Sequence, residues 1–293
     1  MVLQTSGGID LHAHTTASDG SLTPTELVEL AVKTGLSAVA VTDHDTIGGL
    51  AEAMEAAVAA HIELIPGVEL SVEDDRGRFH LLGYLFYPGD REMGETLAAI
   101  RVSRARRNAE MAEKMKELGL PVTMSDVIAE AGPDSQVITR PHFAKALMKA
   151  GVVSSVQEAF DLYLATGKPL YQPKQVLTPH DAIAMIHKAG GIAVMAHPGL
   201  VALDEQKLAE RVASLTSEDK MDGIEAYYSQ HSPEQTRRFL GLARDNDLIV
   251  TAGSDFHGTP KPHVTLGVIE NGTAAPASIL DAMRLRAAEI AGE

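Results

Sequence analysis

The chain has 293 residues, no cysteine, about 45% hydrophobic content and a formal net charge of -15. The missing cysteines exclude a disulfide framework, a thiolate metal site and a cysteine nucleophile, so any metal must be held by nitrogen and oxygen. No basic and apolar leader opens MVLQTSGG, and no run approaches the ~18 apolar residues of a membrane helix, so a soluble cytoplasmic chain with one large core, or one core plus an insertion, is expected.

Residues 7–90 read as alternating strands and helices. The opening stretch IDLHAHTTASDG is a short strand carrying His12 and His14 on one side, because side chains alternate with period two along extended backbone. Asp19 follows in a Ser-Asp-Gly turn, where a carboxylate can fold back over the strand end. TPTELVELAVKTG predicts an amphipathic helix with Thr23 as N-cap, Pro24 at the first position and Gly35 as the stop. SAVAVTDHDT is a β-branched strand ending in Asp43, His44 and Asp45, and a second helix from about Ile47 carries Leu50, Met54 and Val58 on one face. Asp45 reads as the cap of that helix, with orientation of His44 as the alternative for it and for Asp43. IELIPGVELSV and RFHLLGYLF supply two more strands, bearing Glu69 and His80.

Residues 91–190 have another texture. They hold 13 Lys/Arg and 11 Asp/Glu, a net of +2, which leaves -17 for the rest of the chain. Leu97, Ile100, Met111, Met115 and Leu118 mark a long helix ending at Gly119, and shorter helical patterns follow at 125–131, 141–150 and 155–165. The arginines of RVSRARRNAEMAEK, at 101, 104, 106 and 107, read as a solvated helix face. From Thr178 the alternation returns: a helix to Ala189, strand IAVMAHP, helix 204–216, strand DGIEAYY, helix 233–246, strand LIVTAGSDFH and a C-terminal helix from about Pro276. Seven strands with helical crossovers favour a parallel α/β barrel, spanning 7–99 and 175–293, with a mainly helical insertion at 100–174 that forms a substrate lid.

In such barrels chemistry sits at the carboxyl ends of the strands. His12, His14, Asp43, His44, Asp45, Glu69, His80, His197, Asp255 and His257 fall at or near those ends. Burying this many ionisable groups without a counter-ion would cost several kcal/mol each, so divalent cations are expected. Closely spaced cations lower the pKa of a bridging water and clamp the oxygens of an in-line displacement. No GxSxG elbow offers a better nucleophile, so a metal-bridging hydroxide is the expected nucleophile; on the phosphate ester that the family resemblance below implies, Asp255 would accept its proton and His257 or His142 would protonate the leaving oxygen.

The segments DLHAHTTASDG, VTDHDT, PGVELS, HLLGY, AHPG and GSDFH, in this order, resemble the PHP ("polymerase and histidinol phosphatase") family of phosphoesterases. The resemblance covers 9–88 and 190–258. With TRPHFA and TGKPLY in the insertion, it is closest to stand-alone bacterial enzymes acting on nucleoside 3′,5′-bisphosphates and short 5′-phosphorylated RNA. It implies a distorted seven-stranded (β/α) barrel and three divalent ions, manganese favoured over iron or zinc. One would lie between His12, His14, Glu69 and Asp255, a second between Glu69, His80 and His197, and a third between Asp19, His44 and His257. It also implies phosphate contacts from Arg140, His142 and Lys168, with Tyr171 offering a surface to a base or ribose. Ser229 and His231, after strand six, are either substrate contacts or plain loop residues. The expected reaction is release of the 3′-phosphate, with 5′→3′ exoribonuclease action on short RNA; the alternatives are a phosphatase of histidinol phosphate or a cyclic ribose phosphate, a metal-containing regulatory domain, and a C–N hydrolase. Few aromatics and a strongly negative total charge argue against stable binding of double-stranded nucleic acid.

Overall fold

In the computed structural model, which describes residues 7–133, 135–173, 176–269 and 274–292, eight strands share one sheet. In chain order they are β1 (Gly8–Asp10), β2 (Leu36–Val41), β3 (Glu63–Asp74), β4 (Gly77–Tyr84), β5 (Ile192–Met195), β6 (Gly223–Tyr228), β7 (Ile249–Gly253) and β8 (Ala275–Pro276). They lie in the order β7-β6-β5-β4-β3-β2-β1-β8. The sheet curls until the chain beyond β1 meets β7 and the chain that follows it. Leu11 N donates to Ala252 O at 3.1 Å and His14 N to Phe256 O at 2.9 Å, and Ala13 bridges Phe256 in parallel register. The result is the expected α/β barrel, nearly closed, with one strand more than seven; β8 is two residues long and leaves no pattern to read.

The expectation of an all-parallel barrel is corrected at one place. β1, β2 and β3 are parallel neighbours, as are β5, β6 and β7, but β4 runs antiparallel to both β3 and β5. Only Asp75 and Arg76 separate β3 from β4, far too few for a parallel crossover. Arg76 N donates to Asp74 Oδ1 at 3.0 Å, and Gly77 takes φ +125°, open to glycine alone.

The helices are α1 (Pro24–Lys33), α2 (Leu50–Ala60), α3 (Arg91–Glu117), α4 (Met124–Ala131), α5 (Arg140–Lys149), α6 (Val156–Ala159), α7 (Pro179–Lys188), α8 (Glu205–Asp219), α9 (Pro233–Asp245) and α10 (Ser278–Gly292). α1 starts as expected: Thr23 Oγ1 accepts from Glu26 N at 3.1 Å, and Glu26 Oε2 accepts from Thr23 N at 2.8 Å. α2 does not. It begins at Leu50 behind Gly49, with no side-chain cap, and buries Leu50, Ala53 and Ala57. Met54 and Val58 are exposed, because the alanine stripe, not the larger residues, gives the close approach.

Period-two alternation sorts the strand residues between two cores. Ala38, Ala40, Leu82, Tyr84 and Val194 belong to a cluster that includes Ile279 and Met283 of α10. Val39, Val41, Leu81 and Met195 join a larger cluster with Leu27 of α1, Ile186 of α7 and Val212 of α8. Alternate residues of each strand thus serve different cores. A third cluster, with Met111, Met115, Phe143, Leu147, Leu164 and Leu170, forms within the helical region. α3 serves two of these cores: Met93, Leu97 and Ile100 pack in the larger one, and Met111 and Met115 in the third.

Candidate metal centre and substrate pocket

All nine expected ligand residues meet at the mouth of the barrel, around Glu69. His12 Nε2 lies 3.3 Å from Glu69 Oε2, His14 Nε2 3.2 Å and His44 Nδ1 3.0 Å. His80 Nδ1 and His197 Nε2 lie 2.7 and 2.8 Å from its other oxygen, Oε1. Asp255 Oδ1 faces His14 Nε2 at 3.4 Å, and Asp19 Oδ1 faces His257 Nε2 at 3.3 Å. Three compact sets result: His12, His14, Glu69 and Asp255; His14, Asp19, His44 and His257; and His44, Glu69 and His80. His80 arrives by an unexpected route. It pairs with Ser71 in the β3–β4 register, so the reversed strand brings its amino-terminal half, not its carboxyl end, to the mouth.

The donor atoms fit cations. His12 Nε2, both ring nitrogens of His14, His44 Nδ1 and Glu69 Oε2 are buried without a hydrogen bond among the described residues. Leaving that many polar atoms dry and unpaired is costly, at about 1–3 kcal/mol each, and cations would satisfy them together. The opposite edges are held. Glu225 Oε1 lies 2.9 Å from His12 Nδ1, and Glu225 Oε2 accepts from His197 N at 2.7 Å. Asp255 Oδ2 accepts from Tyr228 Oη at 2.8 Å and from Lys261 Nζ at 2.5 Å, so Oδ1 is the oxygen turned to the histidines. Asp43 accepts from Thr15 N, Thr15 Oγ1 and Ser18 Oγ, stitching the loop that carries Asp19. Such partners orient metal ligands and raise their basicity. Backbone strain gathers here too: His197 and Asp255 take φ of +27° and +60°.

Charges within the cluster compensate one another. Burial opposes ionisation of Asp19, Glu69 and Asp255, yet all three are held well below the usual carboxylate range. His44 and His257 do this for Asp19, His44 and His80 for Glu69, and Lys261 and His257 for Asp255. Burial likewise opposes protonation of His12 and His14, but carboxylates outweigh it. Glu225 and Glu69 raise His12 well above the ordinary value, and Asp255 and Glu69 push His14 up to about 9.

Beside the cluster lies a cavity of about 210 Å³, lined by Asp19, His44 and His80 on one side and by Arg104, Arg107, Arg140 and Phe160 on another. Here the solvated-face reading of the arginine run fails for two members. Arg104 and Arg107 are only 6% and 4% exposed, while Arg106 points outward beside Glu110. Met93, Leu97, Ile100, Arg104, Arg107 and Met111 form one buried stripe on α3, so both arginines extend the helix's inner face. Burial lowers Arg104 to about 9 and Arg107 to about 10. Arg107 Nε and Nη2 have no hydrogen-bond partner among the described residues, and Arg104 faces the Asp45 carboxylate. Arg140 donates to Leu164 O at 3.3 Å and lies over the Phe160 ring, where α6 runs into the π-helical turn Phe160–Leu164.

The PHP domain profile matches residues 10–285. The chain belongs to the PHP family. It is 38% identical to the 5′-3′ exoribonuclease Rnm of Escherichia coli K12, over 88% of this chain and 87% of that one. It is 35% identical to the 3′,5′-nucleoside bisphosphate phosphatase of Chromobacterium violaceum, over 85% and 87%. A crystal structure from Bifidobacterium adolescentis, of a candidate metal-dependent phosphoesterase, superposes with a TM-score of 0.84 at 33% identity, covering 98% of this chain and 99% of that one. This PHP chain is thus a hydrolase of phosphate esters in a metal-dependent family, and no helix among the described residues is long and apolar enough to cross a membrane.

The remaining expected residues of the PHP site divide. His142 is buried; its Nδ1 accepts from Thr139 N at 3.1 Å, and burial pushes it down to about 4, so it is neutral near pH 7. Tyr171 is half-buried with the Arg78 guanidinium 5.5 Å above its ring, and Lys168 is exposed and away from the cavity lining. Ser229 donates to Ser254 O at 2.7 Å. His231 spends both ring nitrogens internally, on Ala226 O and Gly199 N, so the loop reading describes it better than substrate contact. Asp45 caps no helix: it takes φ +53°, its Oδ1 accepts from Ser71 N, and Arg104 stands at its Oδ2. Glu225, Tyr228 and Lys261 escaped the sequence reading. A glutamate inside the apolar run GIEAYY was a usable signal for the first; nothing marked Lys261 in its loop.

Proposed function

We propose that this PHP enzyme hydrolyses nucleoside 3′,5′-bisphosphates, releasing the 3′-phosphate, and trims short 5′-phosphorylated RNA from its 5′ end. The observation that carries this reading is one cavity shared by the ligand cluster and three arginines, two of them buried. A buried guanidinium such as that of Arg107, with Nε and Nη2 unpartnered among the described residues, is costly, and phosphate matches its fork of donors. A substrate with a single phosphate would satisfy one half of the cavity and leave the other unpaired. The names of the Escherichia and Chromobacterium relatives support the same chemistry.

In this reading His12, His14, Glu69 and Asp255 hold one divalent ion, Glu69, His80 and His197 a second, and Asp19, His44 and His257 a third. Nitrogen and carboxylate donors without sulfur suit manganese. Bound cations supply an acidified water and neutralise charge developing on phosphoryl oxygens. The protein's own groups do the rest. Asp255, with Oδ2 engaged by Tyr228 and Lys261, takes the proton of the attacking water through Oδ1. His257 Nδ1 donates to Asp255 O at 2.9 Å and its Nε2 faces Asp19, leaving it no spare donor. His142, whose Nδ1 accepts from Thr139 N, keeps its proton on Nε2 and offers it as a hydrogen-bond donor to the leaving oxygen, which takes its proton from water. Arg104, Arg107 and Arg140 hold the second phosphate, with residues 100–174 as the covering insertion.

The test is phosphate release by manganese-reconstituted protein from adenosine 3′,5′-bisphosphate, AMP and histidinol phosphate. Strong preference for the bisphosphate is expected. Equal turnover of AMP, or preference for histidinol phosphate, would overturn the reading of the arginine pocket.

A further inference from the structure

Among the described residues, polar contacts from the helical region to the ligand cluster converge on one set, His14, Asp19, His44 and His257. Thr139, at the start of α5, donates its hydroxyl to Asp19 Oδ2 at 3.2 Å. The backbone N–H of Thr139 meanwhile donates to His142 Nδ1 at 3.1 Å. Arg104 of α3 reaches Asp45, the neighbour of His44. The chain before Thr139 lies along the loop that carries Asp19: Gln136 N donates to Ala17 O and Ser135 Oγ to Ser18 O, both at 3.0 Å, and Thr46 Oγ1 donates to Gln136 Oε1 at 3.2 Å. Asp19 in turn presents Oδ1 to His257 Nε2 at 3.3 Å and to His14 Nδ1 at 3.8 Å, and Oδ2 to His44 Nε2 at 3.9 Å.

A carboxylate pivots about one bond, and a donor on Oδ2 fixes where Oδ1 points. We infer that Thr139 is a positioning residue which couples the order of segment 135–142 to cation binding by His14, Asp19, His44 and His257. The coupling is reciprocal by thermodynamic necessity: the docked segment sharpens the cation set, and a cation there stabilises the docked segment. Because Arg140 is the next residue and lines the substrate cavity, grip on the second phosphate and occupancy of this cation set are linked through one peptide. The inference rests on the metal reading above, and its readouts are binding and exchange rather than turnover.

The experiment titrates manganese into wild type, Thr139→Val and Thr139→Ser, counts ions per chain, and follows amide hydrogen exchange across 135–142. Loss of an outer hydrogen bond to a metal ligand weakens binding by roughly 10–100-fold. One ion in Thr139→Val is therefore expected to bind at least ~10-fold more weakly, with Thr139→Ser close to wild type. Manganese should slow exchange across 135–142 in wild type and fail to do so in Thr139→Val. Unchanged affinity in Thr139→Val, or exchange in wild type indifferent to manganese, would overturn the coupling. Should Thr139→Val unravel α5, Ser135→Ala, ahead of that helix, tests it by removing the segment's bond to Ser18 O: weakened binding of one ion supports the coupling and full affinity overturns it. A wild-type protein that binds no manganese would instead overturn the metal reading itself.

Discussion

The barrel mouth and the helical region beside it both bury charge, but in opposite senses. At the mouth, imidazoles and carboxylates face one another around Glu69 and turn donor atoms inward. In the helical region, Arg104, Arg107 and Arg140 line a cavity whose nearest carboxylates, Asp19 and Asp45, belong to the barrel. One side asks for cations and the other for an anion. The substrate proposed above would bridge them, each phosphate meeting one half of the cavity.

The contrast breaks most severely at Glu69, which lies within 3.3 Å of His12, His14, His44, His80 and His197. Glu69→Gln should lower phosphate release by about 10³-fold or more, the scale of losing a central electrostatic group, together with bound metal measured by elemental analysis. Full metal content in that variant would show that the cluster does not centre on this side chain. On the arginine side, Arg107→Met should cost about 2 kcal/mol or more in binding of the second phosphate, a roughly 30-fold rise in KM, for the bisphosphate and not for AMP. Equal effects on both substrates would make Arg107 a packing residue. Glu225→Gln removes the partner of His12 Nδ1 and should weaken manganese binding by about 10–100-fold, leaving KM for the bisphosphate at saturating metal nearly unchanged. Arg106, one residue from Arg107 but exposed, provides the control: Arg106→Ala should change stability by no more than about 0.5 kcal/mol and leave both kinetic constants alone.

The mouth also carries a pH signature in metal binding. His12 and His14 hold protons at neutral pH in the cation-free cluster, since His14 is pushed up to about 9 and His12 well above its ordinary value. Cations must displace those protons, so apparent affinity should rise with pH toward about 9 and fall below neutrality. Calorimetric titration in two buffers of different ionisation enthalpy measures the release directly, and its absence would mean that the histidines are already neutral.

Legibility in the sequence followed the same division. His12 and His14 could be placed because a two-residue spacing has one meaning on a strand, and Thr23 because a capping box is local. The reversal of β4 could not be, since His80 reaches the same mouth whichever way its strand runs. Arg104 and Arg107 were hidden by chemistry: on a helix, arginine is most often a surface residue, and only their register with Ile100 and Met111 shows the inner face. Asp45 was misread for a related reason. An aspartate just before a helical pattern usually caps it, but here the helix waits until Leu50 and the carboxylate serves Ser71 and Arg104.

The helix α3 is continuous for 27 residues, about 40 Å at 1.5 Å per residue, and its first turns are embedded in the barrel's outer core. Arg104 and Arg107 follow directly on the anchored stretch. Their separation from the ligand cluster is therefore set by barrel packing and by unbroken helical backbone, not by the pose of the loops beyond Leu118. In the function proposed above, α3 would gauge the gap between two phosphates: exchanging the outer helices would alter what base or ribose is accepted while the spacing requirement stayed fixed.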